Sequence, residues 1–236
     1  MTASHFDDST PEDVIRRRTM VDCQIRTVDV TDYAVIERFL EVPREKFLPP
    51  ELSDFAYSDM ALKLPLSVAP EGRQLLSPAV LARFVQAAGV KPTDKVLDVA
   101  SAIGYSAAIF AGLAHEVVAL EADAHLASMA QTNLAHAGHG AVRITTGPLV
   151  EGVPSEAPFD VIFVNGAVEV HLDMLLKQLR SGGRLLAIVR RTTEPGRGAS
   201  QAVRFESQSG RISSTFLFDA GAPVLMEFRK EPEFEF

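Results

Sequence analysis

Lys95-Val-Leu-Asp-Val-Ala-Ser-Ala-Ile-Gly-Tyr105 decides the fold. Val96, Leu97, Val99 and Ala100 flank Asp98 and read as a buried strand. A turn of small residues follows, and an Ala-rich helix opens near Tyr105. In an open α/β sheet a nucleotide-like ligand sits off the carboxyl end of the first strand. Glycine in such a turn lets the backbone approach a ligand and take φ > 0. Here Ala100, Ser101, Ala102 and Ile103 precede Gly104, so one glycine remains of a Gly-x-Gly-x-Gly pattern. Ala102 stands where a dinucleotide fold needs its second glycine, which argues against NAD and an oxidoreductase.

Downstream, strands and helices alternate. Strands are expected at 115–120, 141–145, 159–165 and 184–189. Helices are expected at 104–113, at 124–137 ended by Gly138, and at 169–179 stopped by Ser181-Gly-Gly183. Near-continuous apolar strands between helices indicate a parallel sheet covered on both faces. The segments 201–206 and 211–218 alternate and are joined by Ser207-Gln-Ser-Gly210, a hairpin signal. Residues 194–200 read as a mobile Gly-rich link, and the acidic and aromatic 231–236 as a frayed end. The fold class is α/β: a doubly wound, mostly parallel sheet with an antiparallel C-terminal hairpin and an N-terminal helical extension.

Upstream, residues 1–10 read as disordered. Thr10-Pro11-Glu12-Asp13 starts a helix that runs to about Thr27. Its Arg16-Arg17-Arg18 run is expected on a solvated face, and Cys23 half-buried on the same helix. Asp29 or Thr31 is expected to cap a second helix at 32–39. Pro43 opens a short helical turn that Pro49-Pro50 closes. The stretch 51–78 is irregular, and loops this long in a compact chain are usually functional. Ser77 then caps an amphipathic helix at 78–88, with Pro78 in its first position. The division expected is 1–70 as extension and loop and 71–236 as the sheet domain, built as one compact unit.

The totals exclude several classes. A chain of 236 residues with 47% hydrophobic content supports a sizeable core. A net charge of −8 argues against nucleic acid or an anionic membrane as partner. Cys23 alone excludes an internal disulfide and any multi-Cys metal site. No stretch of 1–14 resembles a secretory signal and no apolar run approaches about 20 residues, so a cytoplasmic location is expected. His136 and His139 flank Gly138 at a helix end, where cations are favoured, and no ligand set accompanies them.

Two further positions face the expected ligand crevice. Glu121 ends the second strand, where an acid can accept both hydroxyls of a ribose; a plain strand-end acid is the alternative. Asp123 is the better helix cap and leaves Glu121 free. The loop Thr146-Gly-Pro-Leu149 would meet an adenine edge, but Pro148 has no N–H and Leu149 no polar atom.

Together these segments resemble the protein-L-isoaspartate O-methyltransferase family. The resemblance runs from about Met20 to Pro223. It rests on Val42-Pro-Arg-Glu-Lys-Phe47, Ala56-Tyr-Ser-Asp59, Gln74-Leu-Leu-Ser-Pro78, Val96-Leu-Asp-Val99 with Gly104-Tyr105, Pro158-Phe-Asp160 and Leu179-Arg-Ser-Gly-Gly-Arg-Leu185. It implies a Rossmann-like methyltransferase sheet. It also implies methyl transfer from S-adenosylmethionine to the α-carboxylate of L-isoaspartyl residues, the first step in repair of damaged protein.

On this resemblance Ser77 is the catalytic hydroxyl beside the substrate carboxylate, and Tyr57 and Leu76 line the peptide groove. Ala100, Ser101, Ala102 and Gly104 pass under the methionine end of the cofactor, Glu121 holds its ribose, and Gly147 lies on the adenine side. The sequence departs from the family pattern at Ala100 and Ala102, at Pro148-Leu149 and at Leu75. These departures keep a second reading open, a methyltransferase fold that no longer binds the cofactor and acts as a scaffold.

Overall fold

The computed structural model describes residues 10–69, 72–194 and 197–231. The expectations for 1–9 and for the tail at 232–236 lie outside the described residues, as does the centre of the expected link at 195–196. The chain begins with α1 (Pro11–Met20), which continues through a π-helical turn, Val21–Ile25, and a 3-10 turn, Arg26–Val28. Then come α2 (Tyr33–Glu41), 3-10 turns at Arg44–Lys46 and Pro50–Phe55, and a small antiparallel ribbon of β1 (Leu62–Lys63) and β2 (Gln74–Leu75). The sheet domain follows as α3 (Pro78–Ala88), β3 (Lys95–Val99), α4 (Tyr105–Ala111), β4 (Glu116–Glu121), α5 (Ala124–His136) and β5 (Arg143–Thr146). It ends with β6 (Phe159–Val168), α6 (Asp173–Lys177), β7 (Leu179–Glu194), β8 (Arg197–Gln208) and β9 (Arg211–Asp219).

The main sheet has the order β5-β4-β3-β6-β7-β8-β9. Its first five strands in that order are parallel, and β8 and β9 are antiparallel additions. Strand β3 lies between β4 and β6, so the strand order reverses there. The crevice at the carboxyl ends of β3 and β6 is therefore the ligand position of such a sheet. The hairpin turn is made by Ser209 (φ 51) and Gly210 (φ 79), two left-handed residues whose twist matches the flanking strands.

Successive strand residues serve opposite faces. Val96, Val161, Phe163, Leu186 and Ile188 join one apolar cluster, and Leu97, Val99, Ile162, Val164, Leu185 and Ala187 the other. The first cluster also contains Met20, Ile25 and Phe39, so the N-terminal helices pack over the same face as α3 and α4. Each such side chain contributes about 1.5–3 kcal/mol when fully buried. Gln86 of α3 ties the layers together. Its Oε1 accepts from Thr31 N (2.7 Å) and Asp32 N (3.0 Å), and its Nε2 donates to Asp29 O (2.9 Å).

Several expectations are corrected. The residue capping α2 is Asp32, which accepts from Ala34 N and Val35 N, rather than Asp29 or Thr31. Pro50 opens a 3-10 turn instead of closing one, since a proline suits a first helical position. Arg17 is buried beside Glu45, because α1 turns this residue inward, and Cys23 is exposed on the π-helical turn. The helix expected at 169–179 shrinks to α6, and Leu179 pairs with Phe159 at the start of β7. The 194–200 stretch is largely strand, with Glu194 opposite Arg197. Burial, and then the Arg38 guanidinium, lower the pKa of His139.

Candidate active site

The turn after β3 is left-handed at alternate positions although only one of them, Gly104, is glycine. Ala100 (φ 63), Ala102 (φ 51) and Gly104 (φ 90) are all left-handed. Alanine in that region costs roughly 1–2 kcal/mol per residue. Buried hydrogen bonds hold it there. Ala100 N donates to Leu120 O (2.8 Å), Ser101 N to the same oxygen (3.2 Å), and Ala102 N to Glu121 Oε2 (2.8 Å). The two alanine methyls are buried as well. Gly104 has a different task. A Cβ there would come within 3.2 Å of Leu134, so this glycine sets the approach of α4 to α5 and does not line the cleft.

Glu121 ends β4 and is wholly buried. Its Oε1 accepts from Ala122 N (2.9 Å), from Asp123 N (3.3 Å) and from the Arg73 guanidinium, and its Oε2 from Ala102 N. A carboxylate offers about four acceptor directions. Four donors therefore occupy this one. Arg73 reaches it from the segment just before β2, and its side chain is 9% exposed.

The turn, Arg73, Leu149 and Asn165 line a narrow cleft of about 20 Å³, room for little more than one water. One wall is the segment 223–227, which pairs with β6 through Ala167 N to Pro223 O (3.1 Å) and Leu225 N to Ala167 O (2.9 Å). A Cβ on Gly166 would strike Leu225 at 2.7 Å, so that wall closes only against glycine. Gly147 is not among the cleft residues; its N–H donates to Glu121 O (3.2 Å), while Leu149 supplies an apolar surface in its stead.

A smaller cavity lies between the turn and the segment before α3, with Leu75 and Leu76 on one side and Ser101, Ser106 and Asn165 on the other. Asn165 Nδ2 donates to Ser106 Oγ (3.0 Å), which donates to Asp98 Oδ2 (2.6 Å). Burial chiefly raises the pKa of Asp98 from 3.8 to about 7; the Ser106 bond opposes this and the charge of Glu121 adds to it. Asp98 Oδ1, Ser101 Oγ and Asn165 Oδ1 are buried without a hydrogen-bond partner. Such unpaired capacity suits the polar end of a ligand or ordered water.

The substrate-side residues are divided. Ser77 is half-buried at the N-cap of α3, its Oγ 3.4 Å from Val80 N. Leu76 is buried beside the small cavity, and its carbonyl accepts from Arg44 Nη2 (2.9 Å). Tyr57 is not brought to this cavity. It donates to Glu45 and lines a groove with Ile15, Met20 and Gln24 on the N-terminal helices. Burial and Glu45 push its phenol pKa well up. Sequence reading missed Arg73, Asn165 and the 223–227 wall. A buried strand-end acid needs a donor, and that need is the one signal that pointed toward Arg73.

The residues fit S-adenosylmethionine in part by what they already are. The turn is left-handed at Ala100, Ala102 and Gly104, Glu121 stands at the strand end, and unpaired polar atoms lie beside the turn. Arg73 already occupies one oxygen of Glu121. Among the described residues no cluster of His, Cys, Asp and Glu could hold a metal, and no helix is long and apolar enough to cross a membrane.

Comparison with known proteins agrees with this geometry. The model of the protein-L-isoaspartate(D-aspartate) O-methyltransferase family matches residues 16–213. A protein-L-isoaspartate O-methyltransferase of Koribacter versatilis is 36% identical over 203 residues, 86% of this chain and 87% of that one. One of Methanoculleus marisnigri is 33% identical over 84% of this chain and 86% of its own length. A solved structure described as protein-L-isoaspartate O-methyltransferase shares the fold with a TM-score of 0.76, at 24% identity, covering 89% of this chain and 65% of that longer one. A Plasmodium falciparum structure described under the same activity, in complex with S-adenosyl-L-homocysteine, gives 0.74 at 18% identity over 90% of this chain and 98% of its own. The fold is thus the Rossmann-like methyltransferase sheet, and the chain belongs to the protein-L-isoaspartate(D-aspartate) O-methyltransferase family.

Proposed function

We propose that this chain transfers a methyl group from S-adenosylmethionine to the α-carboxylate of L-isoaspartyl residues in damaged proteins. One observation carries the reading beyond family membership: Ala100 and Ala102 hold the left-handed turn that the loss of glycine put in question. This answers one of the three departures behind a scaffold without cofactor; those at Pro148-Leu149 and Leu75 stand. When bound, S-adenosylmethionine supplies a methyl already activated by a sulfonium. A carboxylate is itself a nucleophile, so the chain's task is to position the two groups and exclude water.

In this reading Ala100, Ser101 and Ala102 support the methionine end and Glu121 accepts from the ribose. Gly104 acts indirectly, through the helix packing that holds the turn. Gly147 acts through the backbone that leads to Leu149. Ser77 holds the substrate carboxylate, with Leu76 as the apolar wall between substrate and turn. Tyr57 belongs to a more distant peptide groove. The small cavity between Ser101 and Leu76 supports the place given to Leu76, because it joins the turn to the segment before α3; Ser77 does not line it. Incubation with methyl-labelled cofactor and a matched pair of isoaspartyl and aspartyl peptides tests it. Base-labile methyl ester on the isoaspartyl peptide alone is expected; no ester on either peptide overturns the reading.

A further inference from the structure

The cofactor assignment gives Glu121 to a ribose, and the role inferred for Arg73 rests on that reading. Of the four donors on Glu121, three are backbone N–H groups of Ala102, Ala122 and Asp123. They belong to the frame that fixes the acid in place. The fourth is a side chain that itself lines the cleft, Arg73. A ribose entering from that cleft meets the guanidinium before it meets the carboxylate, because Arg73 lines the cleft and Glu121 is wholly buried.

We propose that Arg73 is a resident occupant of the ribose subsite, and that the cofactor binds only as its guanidinium withdraws from Glu121. A charge-assisted bond to a buried carboxylate is stronger than one from a neutral hydroxyl. The cofactor therefore competes with an internal ligand, and its apparent affinity falls by the fraction of molecules in the open state. With an open state of about 1–10%, the penalty is about 10- to 100-fold.

The local backbone permits the withdrawal. Arg73 follows Gly72, which is left-handed at φ 78, and its carbonyl is held by Leu64 N (2.9 Å) at the end of the two-residue ribbon β1/β2. Withdrawal needs only a side-chain swing or a shift of that ribbon. Ser77 lies four residues further along the same segment. Cofactor arrival and the placing of the substrate hydroxyl thus share one piece of chain.

Isothermal titration with S-adenosyl-L-homocysteine tests the proposal on the full chain. The proteins are the unaltered chain, Arg73→Ala and Arg73→Met, the last keeping the aliphatic stem if alanine fails to fold. Folding is checked by circular dichroism. At least tenfold tighter binding in a folded Arg73 variant is expected, with less than threefold gain when the same change is made in Glu121→Gln. Equal or weaker binding overturns the gate alone, and so does an undiminished gain in the Glu121→Gln background. No binding by any folded variant overturns the gate and the cofactor assignment together.

Discussion

Replacing Glu121 by glutamine separates a structural acid from a decorative one. The carboxylate is wholly buried and its Arg73 partner is 9% exposed. Glutamine keeps one acceptor oxygen and turns the other position into a donor. If the oxygen stays with Ala122 N and Asp123 N, the new NH₂ faces Ala102 N–H. If it flips, the NH₂ faces Arg73 and the two strand-end amides. Either way a buried donor loses its acceptor, which costs about 1–3 kcal/mol. Arg73 also loses its counter-charge; breaking a buried pair costs about 3–5 kcal/mol, and less where the charge can reach water through the cleft. The expected loss is therefore about 3 kcal/mol. In a chain of this size that lowers Tm by about 6–12 °C. Urea unfolding followed by circular dichroism reads the free energy directly. A loss below about 1 kcal/mol would refute the reasoning, since no buried network of this kind comes apart so cheaply.

The same geometry sets three further outcomes. Asp98 has its pKa raised from 3.8 to about 7, so the folded state keeps a proton that the unfolded chain releases. Stability should then fall by about 1.4 kcal/mol per unit as pH rises between roughly 4 and 7, and level off above. Asp98→Asn should remove that slope, and parallel urea series for the two proteins that stay parallel across this window would contradict it. Ala100→Gly and Ala102→Gly each relieve about 1–2 kcal/mol of left-handed strain but add unfolded-chain freedom and remove a buried methyl, about 0.4–1 and 0.8 kcal/mol. Stability should move by no more than about 1 kcal/mol in either variant; a change above about 2 kcal/mol in urea unfolding would show that the methyls do something else. Ser77→Ala gives up a long cap bond, at about 0.5–1 kcal/mol, and should lower kcat/KM for an isoaspartyl peptide at least tenfold while binding of S-adenosyl-L-homocysteine holds. A stability loss with unchanged kcat/KM would leave Ser77 as a helix cap alone.

Much of this architecture is legible along the chain because its signals are local. Lys95–Val99 reads as a buried strand from its own residues, and Pro78–Ala88 as a helix from Ser77, Pro78 and the spacing of Leu81, Phe84 and Val85. The segment at 169–179 misleads for a tertiary reason. Leu172, Leu175, Leu176 and Leu179 have helical spacing, yet all pack into the second apolar cluster while Leu179 is drawn into the sheet opposite Phe159. The turn misleads in the other direction. Two alanines announce a broken loop, and only the long-range acceptors Leu120 O and Glu121 Oε2 show why it persists. Arg73 has no local signature at all. Its partner is 48 residues away, and the topology alone brings them together.

The most direct test of the proposed activity is methyl transfer by the unaltered chain at saturating S-adenosylmethionine, on an isoaspartyl peptide and its aspartyl twin. Base-labile methyl ester on the isoaspartyl peptide only is the predicted result. Folded chain that leaves both peptides unmethylated would contradict it.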